Sequence, residues 1–220
     1  MTIYRIPTTL SAIIFDIDAT LYTHADYVKE QTNAQIRQFA KTTKMSMKKA
    51  RSLINSYQKE WSKVHGGATM SLANTLADLG IPIEQTIEWR KKLLHPEAYL
   101  SKDTELEKTM KQLAEKYTLL CLTNNPVRIG RRTLAALGID CLISEIIGLD
   151  TTHISKPARK PFELAVQRAG CAVENCLSVG DRYSIDIALP LEMGMGGILV
   201  DSVSEVYTIS TILEASATTR

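Results

Sequence analysis

Residues 12–21 read Ala-Ile-Ile-Phe-Asp-Ile-Asp-Ala-Thr-Leu, an apolar run that ends abruptly in two carboxylates two positions apart. Such an unbroken run suits a strand buried on both faces of a parallel sheet. Asp16 and Asp18 then fall where the strand leaves the core. Ligands of open α/β sheets bind at that place, outside the carboxyl ends of the strands. Two acids packed together there repel each other unless a cation or a shared proton relieves them. The feature asks for a metal.

Four further apolar runs have strand character, at 118–122, 142–147, 176–179 and 197–200. Between them lie helix-length segments at 126–137, 161–169 and 185–193. Pro126 and Pro161 suit a first helical turn, and Gly138 and Gly170 suit helix C-termini. This alternation predicts an α/β fold, a parallel sheet with helices on both faces. The stretch from about 26 to 96 breaks it. Segments 26–41, 47–61, 68–79 and 83–94 each carry apolar residues at three- and four-residue spacing, with turn signals at Gly66-Gly67, Gly80 and Pro82. A helical insert so close behind Asp16 and Asp18 sits over the sheet's ligand end and is a candidate lid. His65 and the Gly66-Gly67 turn are weighed as a reach over the site against a plain helix–helix turn. The tail from Glu214 to Arg220 is expected to fray.

Three later segments answer the first. Leu122-Thr-Asn-Asn-Pro126 runs from a strand into a helix start, where a hydroxyl, two amides and free N–H groups suit phosphate oxygens. Lys156, stiffened by Pro157, is placed to balance Asp16 and an incoming phosphate. In Val179-Gly-Asp-Arg-Tyr-Ser-Ile-Asp186, Asp181 leaves its strand as Asp16 leaves the first. Gly180 lets the backbone approach a ligand. Asp181 is a plausible second carboxylate for Mg²⁺, which takes one or two protein carboxylates and keeps waters. Asp186 either holds a metal-bound water, orients Lys156, or serves as an N-terminal helix charge.

Other classes find little support. A net charge of +2 is too balanced to imply nucleic acid or a membrane surface, and Lys41, Lys44, Lys48, Lys49 and Arg51 have the spacing of a solvated helix face. No stretch approaches the roughly 18 apolar residues of a membrane span. No signal peptide is evident. The four cysteines lie in or beside apolar segments without zinc-knuckle spacing, so core thiols in a reducing cytoplasm are expected.

The four segments in order, Asp16-x-Asp18-x-Thr20, Thr123-Asn124, Lys156-Pro157 and Gly180-Asp181 with Asp186, resemble the haloacid-dehalogenase-like (HAD) hydrolase superfamily. The resemblance implies a Rossmann-like core with strand order 5-4-1-2-3, formed by residues 1–22 and 97–220, and a helical cap at 23–96. The pyrimidine 5′-nucleotidase branch looks similar in more detail. The shared features are Asp16-Ile-Asp-Ala-Thr-Leu-Tyr22, Lys156-Pro157 followed by Phe162, Tyr57-Gln-Lys59 and His95-Pro-Glu-Ala-Tyr-Leu100. Ala19 departs from the pattern, since many relatives carry glycine or a polar residue there.

By this resemblance Asp16 is the nucleophile and forms an aspartyl-phosphate. Asp18 protonates the leaving alcohol and then activates water. Mg²⁺ is held by the Asp16 carboxylate, the Asp18 backbone carbonyl and Asp181, with Asp186 behind them. Lys156, Thr123 and Asn124 bind the phosphoryl oxygens. The implied partner is a small-molecule phosphate ester, a nucleoside 5′-monophosphate by the closer likeness. A sugar phosphate or phosphoglycolate, a phosphomutase reaction and a non-catalytic sensor remain alternatives. Dehalogenation is disfavoured, because a halide leaves without the proton Asp18 would supply. The chain is expected to act as a monomer or homodimer.

Overall fold

The computed structural model describes residues 1–218. Its strands are β1 (Thr2–Arg5), β2 (Ala12–Phe15), β3 (Thr118–Leu122), β4 (Glu145–Ile147), β5 (Cys176–Gly180) and β6 (Gly196–Leu199). They form one sheet in the order β1-β6-β5-β2-β3-β4. The last five are parallel and keep the expected 5-4-1-2-3 arrangement. Strand β1 was not anticipated. It pairs antiparallel with β6 at the sheet edge, and all four of its residues are exposed. An edge strand without a buried face carries no alternation to read.

β2 is buried at every position and its side chains part to opposite faces. Ile13 and Phe15 join Leu119, Cys121, Leu177 and Val179 in one core. Ala12 and Ile14 join Leu120, Leu122 and Cys176 in the other. The first core is covered by α5 (Thr104–Ala114), α6 (Val127–Leu137) and α11 (Ile209–Thr218), through Leu106, Leu134 and Ile209 among others. The second is covered by α8 (Arg159–Ala169) and α9 (Ala188–Met193), through Phe162 and Leu189. Two single-turn helices, α7 (Leu149–Thr152) and α10 (Val203–Val206), lie in loops. The helix ends follow local chemistry: Pro126 caps α6, while Gly138 and Gly170 adopt the left-handed backbone that closes α6 and α8.

Four helices interrupt the chain after β2: α1 (Ala25–Thr42), α2 (Met47–Val64), α3 (Leu72–Asp78) and α4 (Ile83–Leu93). They share a core of their own around Ile36, Phe39, Ala50, Ile54, Leu76 and Trp89. α3 is shorter than the expected 68–79, because Thr69 and Ser71 are taken by bonds to Ser184 and Ser155 in loops beside the sheet. The insert docks through two small apolar clusters, Ala34–Leu94–Ile129 and Ala73–Ile87–Leu149.

The tail also differs from expectation. α11 continues through Glu214 to Thr218, and Lys116 pairs with Glu214 at 2.7 Å. Residues 219 and 220 lie outside the described residues. Cys171 and Cys176, five apart in sequence, bring their sulfurs to 3.4 Å across the turn entering β5. No helix of the described residues is long and apolar enough to cross a membrane.

Candidate active site

Parallel pairing places Phe15 level with Cys121 on one side and Val179 on the other. The residues that follow, Asp16, then Thr123 to Asn125, then Asp181, therefore emerge at one edge of the sheet. Lys156 arrives from the loop after α7, through a cis Lys156–Pro157 bond. All seven residues singled out in the sequence meet here.

Asp16 is 3% exposed. Its Oδ1 accepts from Lys156 Nζ at 2.7 Å and its Oδ2 from the Thr20 hydroxyl at 3.2 Å. Lys156 is 2% exposed and donates also to Asp186 Oδ1 at 2.6 Å. Burial opposes its charge, but Asp16 and Asp186 outweigh that and hold the ammonium above its ordinary pKa. Asp186 takes its second oxygen to the Arg182 backbone N–H at 3.2 Å. Of the roles weighed for it, orienting Lys156 is the one its contacts display. Gly180 serves Asp186 as well: a Cβ at position 180 would stand 2.3 Å from the Asp186 Cβ. The close approach is made by a side chain of this protein, where the sequence suggested a ligand.

Asp181 is different. Its Oδ1 is buried and accepts no hydrogen bond; Arg182 Nε lies 3.5 Å away without donating one. Carboxylate oxygens of Asp16, Asp181 and Asp186 come within 4.8 Å of one another. Burial, then the charge of Asp16, pushes the Asp181 pKa from 3.8 to about 7. An orphaned buried oxygen in an all-carboxylate donor set fits a hard divalent cation such as Mg²⁺. With its folded pKa raised, Asp181 destabilises the metal-free protein increasingly as pH climbs from 3.8 to about 7. A cation competes with that proton. Added Mg²⁺ is therefore expected to raise the melting temperature more at pH 8 than at pH 6; a shift independent of pH would count against Asp181 as a ligand.

The Asp18 carboxylate sits in a closed network. Oδ1 accepts from the Tyr22 hydroxyl and Gln31 Nε2, both at 2.8 Å. Oδ2 accepts from the Thr123 hydroxyl at 3.1 Å and Asn125 Nδ2 at 2.8 Å. Gln31 and Asn125 also bond each other at 2.7 Å, so a side chain of α1 is tied to the sheet edge. Burial and the nearby Asp18 charge push the Tyr22 phenol far above its usual pKa, which keeps it a donor.

Both residues expected to bind phosphate also have partners within the protein. The Thr123 hydroxyl donates to Asp18 and accepts from Asn125 N–H at 3.0 Å. The Asn124 side chain bridges both backbone groups of Lys156, accepting from its N–H at 2.7 Å and donating to its carbonyl at 3.2 Å. Each orders another site residue. Ala19, noted as a departure, has φ +64°; a side chain in this left-handed region costs roughly 1–2 kcal/mol. His65 stays on its own helix, stacked on Trp61. It is Thr69 that reaches across, to Ser184 at 3.2 Å, while Ser71 meets Ser155 at 3.0 Å.

Between insert and sheet lies a cavity of about 230 Å³, lined by Asp18, Asp181, Gln31, Gln35, Arg90 and Arg182 among others. Gln31, Gln35, Arg90 and Asn125 escaped the sequence reading. One signal was available: Gln31 and Gln35 stand one turn apart on the face of α1 that buries Tyr27 and Ala34. Polar residues on a buried stripe need partners.

A strand-end aspartate clamped by lysine thus lies beside an orphaned carboxylate and beneath a helical insert, at the carboxyl edge of an α/β sheet. The family model of haloacid dehalogenase-like hydrolases matches residues 10–194. The chain belongs to that family. It is 26% identical over 199 residues to a glyceraldehyde 3-phosphate phosphatase of Methanothermobacter thermautotrophicus, covering 88% of this chain and 86% of that protein. A phosphoglycolate phosphatase of Haemophilus influenzae is 36% identical over 84 residues, 38% of each chain. Among solved structures, a HAD phosphatase from Thermococcus onnurineus shares the fold with TM-score 0.60 at 19% identity, covering 93% of this chain and 98% of that one.

Proposed function

We propose that the chain is a Mg²⁺-dependent phosphomonoesterase that passes the phosphoryl group of a short phosphate ester to Asp16 and then to water. The observation that carries this reading is the pairing of Asp16, held by Lys156, with the orphaned Asp181 oxygen beside it. Asp16 and Asp181 with the Asp18 main-chain carbonyl would hold Mg²⁺, which when bound offsets charge on the phosphoryl oxygens. Asp16 attacks phosphorus. Asp18 gives its proton to the departing alcohol and afterwards takes one from the hydrolytic water. Lys156 is committed to Asp16 and Asp186 and neutralises the nucleophile's surroundings. The insert at 23–96 acts as a cap over the core formed by 1–22 and 97–220, and its Gln31 orients the acid through the bond to Asp18.

The cavity favours a short ester. Its volume of about 230 Å³ falls below the roughly 300 Å³ at which pockets for drug-sized ligands begin. None of its described lining residues is aromatic, whereas nucleobases are commonly held by stacking on aromatic rings. A nucleoside monophosphate is therefore placed second to a short ester, of the kind named in the glyceraldehyde 3-phosphate and phosphoglycolate phosphatases.

The test is phosphate release from glyceraldehyde 3-phosphate, phosphoglycolate, UMP, CMP and p-nitrophenyl phosphate, with and without EDTA. Release is expected from a short ester and is expected to stop with EDTA. Asp18→Asn should lower alkyl ester turnover by roughly 10²–10⁴-fold and p-nitrophenyl phosphate much less, because nitrophenolate leaves without a proton. Equal losses would remove the acid assignment, and a preference for UMP would replace the substrate class.

A further inference from the structure

Arg90 is 4% exposed, projects from α4 and lines the cavity. Its Nε donates to Gln35 Oε1 at 2.8 Å and its Nη1 to the Asn124 carbonyl at 2.6 Å. Nη2 has no partner among the described residues, and no carboxylate forms an ion pair with the guanidinium there. Burial lowers its pKa to about 10, and Asp18 is the only counter-charge acting the other way. Buried charges are costly unless paired. The four acids at the sheet edge are otherwise occupied: Asp16 and Asp186 hold Lys156, Asp18 holds its four donors, and Asp181 faces the metal position.

We propose that Arg90 is a substrate-binding residue that receives the carboxylate of a phosphorylated short hydroxy acid, while the phosphate end lies against Asp16. The geometry allows both ends to be held at once. Arg90 reaches the backbone of Asn124, and Asn124 in turn holds the backbone of Lys156, which touches Asp16. The small cavity that Arg90 lines also carries Asp18 and Asp181, and Asp181 lies beside Asp16. The planar guanidinium pairs with a carboxylate through parallel N–H bonds. A carboxylate brings one negative charge into a cavity that already contains Asp18 and Asp181, where a second phosphate would bring about two. Gln35, itself anchored to the Gln31 carbonyl at 2.9 Å, fixes the guanidinium in place.

This proposal rests on the phosphomonoesterase reading for its substrate class, and its test is one of binding, so that the two can fail separately. Calorimetry with Mg²⁺ present would compare 3-phosphonopropionate, a non-hydrolysable analogue, with n-propylphosphonate, which has a methyl group in place of the carboxylate. The carboxylate compound is expected to bind about 10- to 100-fold tighter. Arg90→Gln should bring that ratio near one, and Arg90→Lys should restore part of it. A wild-type ratio within about threefold overturns the proposal, and needs no variant to fold. So does an Arg90→Gln protein that weakens both compounds in proportion, the result expected of a residue that only staples α4 to the sheet. Tighter binding of ethane-1,2-bisphosphonate than of 3-phosphonopropionate would overturn the carboxylate assignment. A retained ratio in a protein that hydrolyses no ester would support the Arg90 site and defeat the hydrolytic reading.

Discussion

Asp16→Asn is expected to lower kcat on every ester by at least about 10⁴-fold while leaving the fold intact. An amide oxygen is a poor nucleophile towards phosphorus, yet it fills the same space and can still accept from Thr20, 3.2 Å away. Lys156 keeps Asp186 at 2.6 Å, so its charge is not orphaned. One of three mutually repelling carboxylates disappears. Asp16 is among the groups that raise the Asp181 pKa, so that value should move back toward the ordinary range. Turnover, circular dichroism and the pH dependence of the melting temperature would be measured together. Near-normal turnover from this variant would end the nucleophile assignment.

Lys156→Met should have the largest effect on stability. Breaking a buried ion pair by removing one partner typically costs about 3–5 kcal/mol. Here the loss strands two carboxylates, each 2.6–2.7 Å from the departing ammonium, with Asp181 close by. The sign of the pH dependence follows from the same charges. Burial already raises the Asp186 pKa against the pull of Lys156, so without the lysine Asp186 holds its proton still more tightly in the folded state than in the unfolded one. Its penalty is therefore absent in acid and grows as pH rises toward its folded pKa. Urea unfolding in EDTA should show the loss in full at pH 8 and much less at pH 5, and Mg²⁺ should restore part of it. A pH-independent loss below about 1 kcal/mol would mean that Lys156 does not balance these carboxylates.

The reading of the sheet from sequence succeeded where burial was two-sided. The run at Ala12–Phe15 is apolar because both faces of β2 are covered, and such a pattern survives in a linear text. β1 is exposed throughout and left no such trace. The same asymmetry runs through the site. Asp16, Asp18, Lys156, Asp181 and Asp186 announce themselves because each directly follows a strand or its loop, so their order along the chain repeats their placement at the sheet edge. Gln31 and Arg90 sit inside helices among ordinary polar residues, and only the docking of the insert reveals where they point.

The amino-acid sequence by itself determined the parallel sheet, the acidic edge at its carboxyl end and the membership of a hydrolytic family. Those properties depend on hydrophobic periodicity and on residues next to strand ends, which are local. Which partner each polar group takes was decided only by the tertiary structure. Thr123 and Asn124 are legible as polar residues at a strand end, but that the first bonds Asp18 and the second the Lys156 backbone appears only in the folded chain. Gly180 makes room for Asp186, and among the described residues Arg90 is buried with no carboxylate in ion-pair contact. A hydrogen bond or an unpaired charge depends on atoms brought together from distant parts of the chain, so only the packing of insert against sheet could settle it.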